Sequence, residues 1–284
     1  MNQEVTSAKT ALVSALSHAH HAWSRLGFLG LEEVGKQNQF NEHSLRADID
    51  CEDAVIRSLQ MKGFPVRIHS EEHGVVNVGP KQEFTAVLDG IDGTADYKKN
   101  PRMGKYGTML SIFSGTDPCY SDYLACGIMQ HATYTMFAAF RHMGAFSESH
   151  SQQAPLKASQ RTLFSPKRLK VYVDESFEIN QEAFSRKLSD FNIECTLCSC
   201  QYYADLVSGH ADYVLECTRK NNLELMAAYG LVREAGGVMV DLDGNDIGPR
   251  RYLEFGQGKD EHIPVITAAN LPLAEQLISL LATR

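Results

Sequence analysis

The chain has 284 residues, 43% of them hydrophobic and 22% charged, with a formal net charge of -8. That is the composition of an ordinary globular protein, long enough for one large domain or two packed halves, and without long disordered tails. An acidic chain is a poor non-specific nucleic-acid binder, which would need Lys and Arg against phosphates, and no run of about 18 apolar residues predicts a membrane span.

In chain order, apolar residues at helical spacing predict a helix from Val5 to Leu26, with His18, His20 and His21 on an exposed face. A second helix is expected from Cys51 to Met61, with Asp48 and Asp50 as acids at its start and Lys62-Gly63 ending it. Short strands follow from Phe64 to about Ser147. They include Pro65 to His69, Phe84 to Leu88, Tyr106 to Phe113, Asp122 to Met129 and Ala132 to Phe140. The polar, turn-rich stretch Ser149 to Arg161 is the expected boundary, dividing the chain into residues 1–150 and 151–284. Beyond it the expected strands are Leu169 to Val173, Ile193 to Cys198, Ala211 to Glu216, Val238 to Asp241 and Ile263 to Ala268. The expected helices are Asn180 to Phe191, Tyr202 to Ser208, Glu224 to Ala235 and Leu271 to Leu281. This mixture predicts an α/β (α+β) fold of packed layers.

The start of the chain lacks the basic-then-apolar pattern of a signal peptide. Seven cysteines, an odd number, argue against a secreted disulfide scaffold. The expectation is a cytoplasmic protein with reduced thiols. The C-x-x-C spacing of Cys195 and Cys198 has no second Cys or His pair of zinc spacing and reads as buried structure.

Chemistry concentrates in Val87-Leu88-Asp89-Gly90-Ile91-Asp92-Gly93-Thr94. A buried strand runs into two carboxylates three residues apart, which suit a hard cation such as Mg²⁺. Gly93 and Thr94 can offer backbone N–H groups to a phosphate. Upstream stands Ser70-Glu71-Glu72. Downstream stand Glu224-Leu225-Met226-Ala227-Ala228-Tyr229-Gly230 and Glu234-Ala235-Gly236-Gly237.

These segments, in this order, resemble the inositol monophosphatase-like superfamily over nearly the whole chain. D-G-I-D-G-T resembles its D-P-x-D-G-T metal loop, Glu71 the first Glu of its G-E-E element, and the Glu224 segment its W-D-x-A-A-G helix. The resemblance implies a layered αβαβα sandwich of the sugar-phosphatase type. Residues 1–150 would hold most metal ligands, and 151–284 would hold Glu224 and the specificity surface. It implies Mg²⁺ held by Glu71, Asp89, the Ile91 carbonyl, Asp92 and Glu224, and a metal-activated water as nucleophile. Thr94, oriented by Asp48, would take or relay the proton, with Glu71 in the catalytic set. Gly93, Thr94, Glu216 and Lys36 would contact a small phosphorylated metabolite such as an inositol phosphate or a sugar (bis)phosphate. A homodimer is implied, with no nucleic-acid or membrane partner.

Four departures are visible. Gly90 stands where the family has Pro, which keeps the turn but loosens it. Leu223 replaces its Trp. Glu224 replaces its Asp, as in the related fructose-1,6-bisphosphatases, and one extra residue lies between Glu216 and Glu224. Two alternatives follow: a catalytically silent metabolite-binding paralogue, and a phosphatase of 3′-phosphoadenosine 5′-phosphate. That second subfamily tends to carry Lys after the motif Thr, where this chain has Ala95. Two basic stretches, Lys98 to Lys105 and Arg219-Lys220, could rim one cleft and favour a polyanionic substrate.

Overall fold

A computed structural model describes residues 3–195, 198–258 and 261–283; the side chain of Lys36 lies outside the described part. The first elements are α1 (Gln3–Leu26), β1 (Glu33–Gln37), β2 (His43–Leu45), α2 (Arg46–Met61), β3 (Val66–Ser70), β4 (Gly74–Asn77), β5 (Phe84–Asp92) and α3 (Thr94–Lys99). Then come β6 (Gly107–Ser114), β7 (Tyr123–Gln130), β8 (Thr135–Phe140), β9 (Gly144–Ser149) and β10 (Gln152–Leu156). The remainder holds β11 (Lys170–Val173), α4 (Glu178–Ala183), β12 (Asn192–Glu194), α5 (Ser199–Val207), β13 (Tyr213–Cys217), α6 (Leu223–Glu234), β14 (Val238–Asp241), β15 (Pro264–Ala268) and α7 (Leu271–Leu281).

Two large sheets form two of five layers. The first has eight strands in the order β10-β9-β8-β7-β6-β5-β3-β4, antiparallel except where β3 runs parallel to β5. The second has five, in the order β12-β11-β13-β15-β14, mixed in direction. Glycines show how tightly the layers approach. A Cβ on Gly127 of β7 would meet Leu12 and Leu16 of α1, so one face of the first sheet lies directly under that helix. Its neighbour Cys126 points to the opposite face, where its sulfur lies against Gly230 of α6. Ser111, paired with Cys126, donates to the Ala227 carbonyl of α6 at 2.6 Å. Helices α5 and α6 are thus the middle layer, α4 and α7 pack on the second sheet, and the sequence is αβαβα. The small residues of α6 serve this contact. Glu234 fastens its far end, accepting from Tyr123 Oη at 2.8 Å and from the backbone N–H groups of His142 and Gly144 at 2.7 and 2.8 Å.

Helix α1 buries Val5, Ala8, Ala11, Leu12, Ala15, Leu16 and Ala19 at helical spacing, as expected. Its His18 and His21 are exposed, but His20 is half-buried and stacks with His131, their ring centroids 5.7 Å apart. Helix α2 begins five residues before the predicted Cys51. Asp48 sits inside its first turn and reaches back to accept the Leu45 N–H at 2.6 Å, closing the helix end locally. The stretch read as a polar boundary contains a hairpin. His150 and Ser151 take φ of 48° and 65°, turning β9 into β10 and extending the first sheet to Leu156. The helix expected from Asn180 to Phe191 is shorter, Glu178–Ala183, followed by a single tight turn at Ser185–Lys187. The strand expected from Ile193 ends at Glu194, and Thr196 and Leu197 lie outside the described residues.

Candidate active site

The site forms where β5 leaves the first sheet. This strand is buried along its whole length, and its last residues carry Asp89 and Asp92. Three residues apart on a regular strand, the two would face opposite sides. The pairing with β6 shifts between them, from Asp89 opposite Met109 to Asp92 opposite Gly107, and the irregularity turns both toward α6. Glu224, in the first turn of α6, completes the group: one carboxylate oxygen from each of Asp89, Asp92 and Glu224 lies within 4.8 Å of the others.

Gly90 has a different reason from the one its sequence suggests. It is not a looser turn. A Cβ there would overlap the Asp48 carbonyl oxygen and crowd the Glu52 side chain, so Gly lets α2 press against the end of β5. Its carbonyl accepts from Thr108 Oγ1 at 2.7 Å, and Thr108 in turn lies 3.0 Å from His131 Nε2. With the threonine proton given to Gly90, His131 must donate from Nε2.

The neighbouring carboxylates are held by residues far off in sequence. Glu52, fully buried on α2, accepts from Ser70 Oγ and from the backbone N–H groups of Glu71 and Glu72 at 3.1 and 3.2 Å. It fixes the turn that presents Glu71 to the cavity. Asp92 Oδ2 accepts from the Cys200 N–H at the start of α5 and from the Cys198 thiol at 3.3 Å. The thiol is therefore an orienting donor within a buried segment, and Cys195 is exposed. Thr94 follows Gly93, whose φ of 84° turns the chain into α3. Its hydroxyl lies 3.0 Å from the Ile91 carbonyl and 3.4 Å from Asp48 Oδ1.

Glu71, Asp89, Ile91, Asp92, Gly93, Thr94 and Glu224 line one cavity of about 260 Å³. Glu216 is not among its lining residues. It is buried on β13 and receives the Tyr203 hydroxyl. Lys36 cannot be placed, its side chain being outside the described part. Sequence reasoning missed Glu42, Asp174 and Phe177, which also line the cavity. Arg219 lies over the Phe177 ring, 4.2 Å from its centroid, and pairs with Glu224 at 3.1 Å and Asp174 at 3.6 Å. The other basic stretch faces away: Lys98 pairs with exposed Glu33 at 3.3 Å, and Lys105 with Asp205 at 3.0 Å. A larger opening of about 450 Å³ near β14 is chemically different, because Asp241 there is already bound by Asn245 and Arg250.

Comparison with known proteins shows the family. The sequence model of the inositol monophosphatase family matches residues 1–281. The chain belongs to this family. A curated relative, the fructose-1,6-bisphosphatase/inositol-1-monophosphatase of Methanothermobacter thermautotrophicus, is 22% identical over 242 residues, spanning 82% of this chain and 81% of its own. The extragenic suppressor protein suhB of Bartonella henselae superposes with a TM-score of 0.75 at 18% identity, covering 97% of this chain and 98% of that one. A dual specific IMPase/NADP phosphatase bound with D-inositol-1-phosphate superposes at 0.71 and 14% identity, over 97% and 95% of the two chains. This family member is a phosphoric monoester hydrolase of the metal-dependent kind.

The residues present fit a metal. Among the described residues, Asp89 Oδ1 is buried without a hydrogen-bond partner, a costly state for a carboxylate oxygen unless a cation meets it. Burial first, and neighbouring carboxylates with it, hold Asp89 well above its ordinary pKa, Glu71 at about 8 and Asp92 at about 6. A carboxyl whose folded pKa exceeds its unfolded one retains its proton in the folded state, so stability is full below the ordinary values of 3.8 to 4.5 and is lost as pH rises toward about 8. The melting temperature of the metal-free protein should therefore fall across that window, and added Mg²⁺ should raise it more at pH 8 than at pH 5.5. Calorimetry at both pH values checks this; an equal Mg²⁺ effect at the two would contradict it.

Proposed function

We propose that this chain is a Mg²⁺-dependent phosphatase of a small polyol or sugar monophosphate. The observation that carries the reading is the convergence of Asp89, Asp92 and Glu224, with the unpartnered Asp89 Oδ1 among them. An all-oxygen set suits a small hard cation. Asp89, Asp92 and Glu224 would hold it, with Glu71 beside them, and when bound it would neutralise the phosphate and activate water.

The chain's own residues supply the rest. Thr94 holds a hydroxyl proton between the Ile91 carbonyl and Asp48. Asp48, raised to about 7 chiefly by burial, can accept that proton near neutral pH. Tyr202 and Phe177 close the cavity wall, and its volume suits a metabolite-sized ester.

Charge favours a monophosphate. Arg219 and Lys220 are the cations among the described lining residues, and both are already paired with carboxylates of the cavity. A second phosphate would find no free partner among them. The test is phosphate release from inositol 1-phosphate, fructose 1,6-bisphosphate and 3′-phosphoadenosine 5′-phosphate, with Mg²⁺ and with chelator. The expected result is the highest kcat/KM for inositol 1-phosphate and no turnover in chelator. Full turnover in chelator would sink the metal-dependent reading, and a tenfold preference for the bisphosphate would sink the monophosphate assignment.

A further inference from the structure

Three consecutive residues before Glu224 hold a left-handed backbone: Lys220, Asn221 and Asn222, with φ of 45°, 57° and 54°. None is glycine; Asn adopts this region more readily than most side chains, whereas Lys220 does so against its Cβ. The corner is held by its own hydrogen bonds. Asn222 Oδ1 accepts the Arg219 N–H at 2.9 Å, Asn222 Nδ2 donates to the Phe255 carbonyl at 2.6 Å, and Gln257 Nε2 donates to the Asn221 carbonyl at 3.0 Å. Strain maintained in this way at a site points to a use for the geometry.

What the corner achieves is the placement of two adjacent cations. Arg219 turns to Glu224 and Asp174. Lys220 turns to the other side of the cavity, its Nζ 2.5 Å from Glu42 and 4.0 Å from Glu71. Among the described lining residues, six carboxylates (Glu42, Glu71, Asp89, Asp92, Asp174 and Glu224) stand against these two cations. With all ionised, four negative charges remain, which two divalent ions match. Without Lys220 five remain, and among the described residues Glu71 then has no ion-pair partner.

We propose that Lys220 is a tethered cation that stands in for a divalent ion at Glu71, so that the site takes one metal fewer than its carboxylates could hold. The inference rests on the metal-dependent reading only in requiring that these carboxylates bind divalent ions. A flexible ammonium at Glu71 neutralises the carboxylate but provides no coordination sphere. Removing it opens the position to a further ion.

The experiment is Mn²⁺ binding, read by electron paramagnetic resonance of the free ion, on the full chain without substrate. Lys220→Met is expected to bind one more Mn²⁺ per chain than wild type, and Lys220→Arg the same number as wild type. Lys220→Gly suits the left-handed backbone and should also gain one, so the test survives if Lys220→Met folds poorly. Equal stoichiometry in wild type, Lys220→Met and Lys220→Gly overturns the role of Lys220 while leaving the phosphatase reading intact. No Mn²⁺ binding by any of the proteins overturns the metal-dependent reading and this inference with it.

Discussion

Asp89→Asn is expected to lower kcat by roughly 10³-fold, about 4 kcal/mol of transition-state stabilisation, while raising the melting temperature of the metal-free protein. The two effects have one cause. Asp89 is buried, leaves Oδ1 without a partner, and faces Glu71, Asp92 and Glu224. Its charge destabilises the empty fold and is useful only when a cation is present. An amide removes the repulsion but is a poor ligand for Mg²⁺, so the Lewis-acid contribution of several kcal/mol is largely lost. Each ~1 kcal/mol of relieved repulsion should raise the melting temperature by roughly 2 °C in a chain of this size. Phosphate release at saturating Mg²⁺, beside calorimetry in chelator, separates the outcomes. A variant within tenfold of wild-type kcat would remove Asp89 from the ligand set. A variant that melted lower in chelator would show that the aspartate is structural.

The parts of this site that a reader can find in the sequence are those whose partners are close along the chain. Asp89, Asp92, Gly93 and Thr94 lie on one strand end and one turn, and Glu224 is marked by the small residues after it. The residues that hold them are not local. Asp92 is oriented by Cys198 and Cys200 from the far half of the chain, Glu71 by Glu52, a residue that no motif marks, and Arg219 by Asp174 and Phe177. Such contacts depend on how the layers stack, which periodicity does not specify. Gly90 shows the same limit. Its type was visible as a departure, but its reason is the approach of the Asp48 carbonyl, a fact of α2 packing. Charge runs misled for a related reason. Lys98 and Lys99 follow the metal loop directly, yet α3 turns them outward, whereas the left-handed corner turns Lys220 inward. The αβαβα layering was implied by resemblance, while the hairpin at residues 150–151 was hidden by the polar side chains of an edge strand.

Thr94→Ala is expected to lower kcat by roughly 10²–10³-fold, within the range that a positioned proton-transfer group contributes. Thr94→Ser should recover most of the loss, because it restores the hydroxyl that faces Ile91 and Asp48. The pH profile ties the hydroxyl to Asp48. That carboxyl is raised to about 7 by burial, and it can accept the threonine proton only when ionised. Wild-type kcat should therefore rise with pH through about 7 and level off above it. Bound cations would pull Glu71, Asp89 and Asp92 to lower values, but Asp48 lies behind Thr94 and outside the cavity lining, so its titration should stay near neutral. Asp48→Asn keeps an oxygen for the Leu45 N–H and so preserves the start of α2. It should lower kcat and flatten the acid limb together. If Thr94→Ala turned over like wild type, the hydroxyl would have no part in the reaction. If Asp48→Asn kept the same limb, the titrating group would be one of the ligands instead.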